Sequence, residues 1–254
     1  MERSDAPSVA ATETSFEIIE ALIELDGAGT TEVAEHVDTT KSTVYNHLQT
    51  LLNKDYVVKE NGIYSVGLKF LRMGEYARNC HDVAQVGPDE VDKLADKTSE
   101  MANLVVEEHG QGVFLYRAKG TDAVHMDTHT GKRLPLHATA FGKAILAELP
   151  RERVDEVIET HGLTQHTEKT ITEREELYDE LESIRDQGHA FDREERLEGL
   201  RCVAAPLLDS NDRAIGAVSI SGPKDRLRGE KFTDEFPNLV RASANAIEIN
   251  MTFG

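Results

Sequence analysis

Asp192-Arg193-Glu194-Glu195 and Cys202 are the residues most able to do chemistry in this chain. Closely spaced carboxylates can act as general acid and base. A cysteine can be a nucleophile or a soft metal ligand. Each also has a plainer reading. Cys202 lies in the strand-like run Cys202-Val203-Ala204-Ala205-Pro206, where a lone thiol is usually packed as a small hydrophobe. The acidic run reads as a solvated turn that contributes one pocket carboxylate, Asp192. His125, His129, His137 and His189 could gather near Cys202 around a transition metal. None of them shows HxxxH or CxxC spacing on a helical stretch, so the expectation is no metal and no cofactor. Ser219 and Ser221 share one face of a strand because side chains alternate with period two. Thr139 can cap a helix whose first N–H groups, on Ala140, Phe141 and Gly142, favour an anion. An ordinary, closely packed helix start would read the same way.

A second group of residues points to nucleic acid. The stretch from Thr30 to Val66 reads as helix, tight turn, longer helix and hairpin. In the longer helix Val44, Leu48, Leu51 and Leu52 make an apolar face. The opposite face carries Ser42, Asn46, Gln49, Thr50 and Asn53. Asn and Gln can pair bidentately with adenine edges in a major groove. Asn61-Gly62 between Val57-Val58 and Ile63-Val66 is a strong hairpin signal, since both turn residues need positive φ. Helix, turn, helix and hairpin is the order of a winged helix-turn-helix. Thr39 or Thr40 caps the reading helix and forms a phosphate clamp with Lys41. Lys54 and Lys59, the latter on the wing, would hold further phosphates, Ser42, Thr43, Asn46 and Gln49 would face the bases, and Tyr45 would also contact the DNA. The competing reading is a plain polar surface.

Charge distribution favours the nucleic-acid reading. The chain has 254 residues and a net charge of −19. Residues 1–38 hold ten acids and one base, whereas residues 39–78 hold three acids and six bases. The positive island therefore coincides with the reading helix, the wing and the helix after it. Elsewhere the acidic excess suits a protein kept soluble in strong salt, so a halophilic, archaeal source is expected. No apolar run is long enough to span a bilayer and the start has no secretory pattern. Two distant cysteines suit a reducing cytoplasm.

The elements that must position these residues follow from periodicity. Residues 1–13 read as a disordered lead-in, and Thr14 to Glu17 as a capping box opening a helix with Phe16, Ile19, Leu22 and Ile23 on its apolar face. Thr30 or Thr31 caps the second helix. Residues 14–66 make the winged head, 67–86 a linking helix, and 87–254 a second domain that begins near Gly87-Pro88. The linking helix carries an apolar stripe, Leu68 and Leu71 included, that should pack on the second domain or a second subunit. Beyond it come a helix over 88–102 with Met101 on its apolar face, strands at 104–106, 112–117 and 123–127, and helices at 139–149, 151–159 and 173–187. Strands at 201–208 and 214–221 and a helix at 236–251 close the chain. The order implies an α+β sandwich.

The segments LPLHATAFGKAILA, GLRCVAAPLLD and IGAVSISGP resemble those of the IclR family, the isocitrate-lyase-regulator type of transcription factors, and the resemblance covers nearly the whole chain. It implies a winged helix-turn-helix head, a linking helix that takes part in dimerisation, and a GAF-like α/β effector-binding domain. It also implies a pocket for a small, often carboxylate-bearing metabolite. By position, Ala140 and Phe141 would offer backbone N–H groups, and Asp192, Cys202, Ser219 and Ser221 side chains. Ala123, Met126, Leu134 and Leu200 would form the apolar wall. Phe141 stands where relatives usually carry a small residue, so the ring should shrink or re-aim the pocket. The reading helix also lacks the arginine that many relatives carry near Asn46 and His47. The resulting expectation is a cytoplasmic regulator, not an enzyme. It would be a homodimer or dimer of dimers, binding a near-palindromic double-stranded operator under control of an effector. The alternatives are a metal- or thiol-dependent sensor or enzyme centred on Cys202, and an interaction module whose head no longer binds DNA.

Overall fold

The computed structural model describes residues 7–124 and 128–253, and these divide into two compact units, Met1–Cys80 and His81–Gly254. In the first unit, α1 (Ala10–Glu24), α2 (Thr30–His36) and α3 (Lys41–Asn53) precede the hairpin β1 (Val57–Glu60) and β2 (Ile63–Val66), and α4 (Lys69–Asn79) follows. Val44 and Leu48 of α3 are fully buried with Ile18, Leu22, Val33, Val57 and Tyr64, as the apolar spacing requires. At the hairpin turn Asn61 and Gly62 have φ of 50° and 88°, and Val57 pairs with Val66.

Two expectations for the head are corrected. The first helix begins at Ala10, so Thr14 lies inside it and caps nothing, and residues 10–13 are not lead-in. Ala10-Ala11 propagate a helix readily, and Glu13 in the first turn suits the dipole. Its inward face is Ile18, Ile19, Ala21 and Leu22, while Phe16 and Ile23 are exposed. The second helix is capped at Gly29, whose N–H donates to the Glu32 carboxylate at 2.9 Å, rather than at Thr30 or Thr31.

The second unit is built on a six-stranded antiparallel sheet in the order β5-β4-β3-β8-β7-β6. Its strands are β3 (Met101–Glu108), β4 (Gln111–Lys119), β5 (Arg133–Pro135), β6 (Ala190–Arg193), β7 (Leu200–Leu208) and β8 (Ala214–Pro223). One face carries α5 (Val83–Thr98) and α9 (Phe236–Phe253) over a core that includes Leu104, Val203, Val218 and Ile220. The other face carries α6 (Ala140–Glu148), with α7 (Arg151–His161) and α8 (Arg174–Gln187) outside it, over Val105, Phe114, Ala204 and Ala217. Gly188 ends α8 with φ of 69°, the left-handed cap that the sequence suggests.

The break at Gly87-Pro88 is absent. A single helix, α5, runs through Pro88. Gly87 faces Leu104 so closely that a Cβ there would lie 2.7 Å from Leu104 Cδ2. The glycine thus marks a helix-on-strand contact rather than a linker. The 88–102 helix correspondingly ends at Thr98, with Ser99 as a left-handed cap, and Met101 opens β3.

Candidate functional site

In the head, the hydroxyls at the start of α3 are ordered before any ligand arrives. Thr40 is the cap: its Oγ1 accepts from Thr43 N at 3.2 Å and contacts Ser42 Oγ at 3.0 Å and Thr43 Oγ1 at 2.9 Å. Thr39 is no cap, and its N–H donates to Ala34 O. Lys41, Ser42, Tyr45 and Asn46 are exposed, and Thr43 is half-buried. They present polar groups along one flank of α3 beside its Thr40-capped N-terminus, which can hold phosphate and reach base edges.

Tyr64 organises the other flank, which sequence reasoning missed. The ring is fully buried. Its hydroxyl accepts from Gln49 Nε2 at 3.1 Å, and Lys59 Nζ lies 4.6 Å from its centroid. Gln49 is therefore half-buried and tethered to the wing, not a free outward amide as its wheel position suggests. Asn46 and Thr50 border a groove of about 520 Å³ floored by Phe16, Ile19, Leu51, Tyr56, Phe70 and Met73. In α4 no residue is buried within the chain, and Leu68, Leu71 and Tyr76 are strongly exposed. Lys69 Nζ donates to Lys54 O at 2.7 Å, which ties the end of α3 to the start of α4.

In the second unit, the register places Asp192 opposite Cys202, Cys202 opposite Ser221, and Asn103 opposite Ser219. Side chains of directly opposed residues share a face. These groups line or support a small cavity of about 20 Å³, bordered by Thr139 and Phe141 of the α6 start and by Leu134, Leu200, Asp192 and Cys202. Ser219 reaches the cavity only through Asn103, whose Nδ2 donates to Ser219 Oγ at 3.1 Å and to Ser221 Oγ at 3.3 Å. Arg117 Nε in turn donates to Asn103 Oδ1 at 3.1 Å, and its Nη1 to Thr128 O. Ala140 is fully buried but does not border the cavity, and neither does Ala123, half-buried after β4. Met126 and His125 lie outside the described residues. Asn103 and Arg117 were missed. The available signal was one polar residue in the apolar run Met101-Ala102-Asn103-Leu104-Val105, which a strand facing an apolar layer would not tolerate unpaired.

The acidic run is not a solvated turn. Asp192, Glu194 and Glu195 are all nearly buried. Lys143 of α6, itself 1% exposed, donates to both Glu195 oxygens at 2.8 and 2.6 Å and to Glu180 at 3.2 Å. Glu194 is held by Lys169, the Gly199 N–H and Lys224, which keep its carboxyl well below the usual range. Both glutamates are thus tied up in ion pairs. Asp192 differs. Its Oδ1 accepts from Glu195 N at 2.7 Å, while buried Oδ2 has no partner. Burial, aided by the nearby Glu195 charge, pushes its carboxyl up to about 7.

Cys202 is buried beside Asp192. Desolvation first, then the Asp192 charge, drives its thiol far above the ordinary range. A nucleophilic cysteine requires the opposite shift, so burial works against Cys202 acting as a nucleophile. Among the described residues, no three His, Cys, Asp or Glu side chains converge as metal ligands would. His137 bonds Thr164 O at 3.0 Å and stacks on His166, while His189 bonds Gln187 O. No helix among the described residues is long and apolar enough to cross a membrane.

Comparison with known proteins agrees with both units. Residues 11–61 match the IclR helix-turn-helix domain, and residues 76–249 match the family described as bacterial transcriptional regulator IclR, C-terminal. The chain is 35% identical over 241 residues to the probable HTH-type transcriptional regulator ArcR of Halobacterium salinarum, covering 93% of this chain and 92% of that one. It is 33% identical to the HTH-type transcriptional regulator KdgR of Escherichia coli, covering 97% and 94%. The crystal structure of the Thermotoga maritima IclR superimposes with a TM-score of 0.82 at 27% identity, over 96% of this chain and 99% of that one. These families and relatives are transcriptional regulators rather than enzymes. With a helix-turn-helix head, an α/β effector unit and both family matches in register with them, the chain belongs to the IclR family of DNA-binding transcriptional regulators.

Proposed function

We propose that this regulator reads a near-palindromic operator as a dimer through the start and exposed flank of α3, and that a small organic or sugar acid in the second unit alters its DNA affinity. The observation that carries the effector half is the unpartnered, buried Asp192 Oδ2 beside the α6 N-terminus. A buried orphan acceptor costs roughly 1–3 kcal/mol, which a ligand hydroxyl or amide would recover. The acid's carboxylate would meet the first-turn N–H groups of α6 other than that of Gly142, which donates to the Thr139 cap.

Lys41, Lys54, Lys59 and the Thr40 cap would hold phosphates, with Ser42, Thr43, Tyr45 and Asn46 facing bases. Gln49 would contribute through its remaining amide groups. The exposed apolar stripe of α4 and its N-cap, with Leu68, Leu71 and Tyr76, supports pairing of copies. Two heads would then meet half-sites about one helical turn apart. A cytoplasmic setting and a halophilic source belong to the same reading, the latter supported by the net charge of −19.

The test is fluorescence anisotropy of the full chain in molar potassium chloride, with its own upstream DNA against scrambled DNA, followed by addition of single organic and sugar acids. Preference for the upstream DNA, shifted at least tenfold by an acid, is expected. Equal binding of both DNAs at every salt concentration would overturn the operator half, and specific binding unmoved by any acid the effector half. Retained fold and solubility after dialysis into dilute buffer would remove the halophilic expectation.

A further inference from the structure

A second cavity, of about 230 Å³, lies in the second unit apart from the one at Asp192. The turn between β5 and α6 serves both. Leu134 and Thr139 border the first cavity, whereas Pro135, Leu136 and His137 border the second. The rest of its wall is mostly apolar, with Leu146, Val157, Ile158, Leu163 and Leu177. Gly110 and His161 close one end. A Cβ on Gly110 would stand 2.6 Å from His161 Nε2, which donates to His109 O at 2.7 Å. Histidines are the sole ionisable residues on the border among the described residues.

His137 supplies the polar feature. It is 5% exposed. A carbonyl oxygen can only accept, so the 3.0 Å contact with Thr164 O puts the ring proton on Nε2. Nδ1 is then a lone-pair acceptor, and no described residue donates to it. Burial foremost, then the stacked His166 ring and the Lys143 charge, outweigh the Thr164 bond and lower the pKa of His137. The ring is therefore neutral near pH 7. His161 likewise commits Nε2 to a carbonyl, and the histidines do not converge as metal ligands would.

These features set the size and charge of an occupant. An apolar cavity of about 150 Å³ accepts a benzene molecule, so this space has room for one ring with a small substituent. With no cation on the border, an anionic ligand would be buried unpaired, which is costly. A hydroxyl donor would instead relieve the unpartnered acceptor.

We propose that this cavity is a second ligand site, for a neutral single-ring molecule of the phenol type whose hydroxyl donates to His137 Nδ1. The site stands independently of the effector reading at Asp192.

Isothermal titration of the full chain in molar potassium chloride, with phenol, fluorobenzene and benzoate as probes, tests it. Fluorobenzene keeps the ring without the donor, and benzoate adds a charge. The native chain should bind phenol at least tenfold more tightly than either. His137→Phe keeps an aromatic ring without the acceptor and should bring phenol within threefold of fluorobenzene. Leu163→Trp, at a half-buried loop position, fills the space and should weaken phenol at least tenfold. It also covers the case in which the His137 variant fails to fold. Asp192→Asn, at the other cavity, should leave phenol binding within twofold of native. Equal phenol and fluorobenzene affinities in the native chain would overturn the acceptor role of His137. Benzoate binding more tightly than phenol would overturn the neutral class. Phenol binding unmoved by both cavity variants, or lost with Asp192→Asn, would overturn the site, as would no phenol binding to the native chain.

Discussion

The flank of α3 and the pocket around Asp192 both hold polar groups ready for a ligand, in opposite states. At the start and along the flank of α3 the groups are exposed or half-buried and partnered: Thr40 with Ser42 and Thr43, Gln49 with Tyr64. In the pocket they are buried, and Asp192 Oδ2 has no partner. A hydrated surface exchanges water for base edges and phosphates at small net gain per contact, so its affinity comes from many contacts and depends on salt. A buried orphan acceptor yields a large gain from one contact, so selectivity can rest on very few atoms. On the function proposed above, DNA recognition would be spread out and effector recognition concentrated.

Substitutions can break or sharpen that contrast. Lys143→Met should have the largest effect, about 3–5 kcal/mol of lost stability, because it leaves Glu195 buried and unpaired. Chemical denaturation should show the loss in the second unit, and a loss below about 1 kcal/mol would mean that the charge is not isolated from solvent. Gly112→Ala should cost about 1–3 kcal/mol by overpacking, since its Cβ would meet the Phe141 ring; an unchanged melting temperature would show a ring free to leave its berth. In the head, Asn46→Ala should lose about 1–3 kcal/mol of discrimination between operator and scrambled DNA. Lys59→Ala should weaken both DNAs alike and lower the salt slope by about 1. Equal losses on both DNAs for both variants would remove the division between reading and anchoring. Tyr64→Phe should have the smallest effect, about 0.5–1.5 kcal/mol of head stability, measured by thermal unfolding at fixed salt.

The head was legible because each local signal agreed with the next. The spacing of Val44, Leu48 and Leu51, the hydroxyls before Lys41 and Asn61-Gly62 all act within a few residues of chain. Thr139 was legible for the same reason, as a cap that acts only on its own helix. Signals that depend on distant partners were not. Glu195 reads as solvated until Lys143, on another element, is placed against it. Asn103 gains meaning only when β8 brings Ser219 and Ser221 alongside. Gln49 reads as an outward amide because a helical wheel contains no Tyr64. Gly87-Pro88 looks like a break because composition cannot tell a glycine chosen for flexibility from one chosen for contact with Leu104. The strands β5 and β6, of three and four residues, are too short to show a period.

The shared dependence of Gln49 and Lys59 on Tyr64 bears on how operators can vary. A reading helix and wing braced on one buried ring act as a single stiff caliper, with a fixed span between what the helix touches and what the wing touches. Inserting or deleting one base pair within a half-site would put one of the two contacts out of reach. A family of natural binding sites should then be strict about length inside each half, and any tolerance should appear in the spacer between halves.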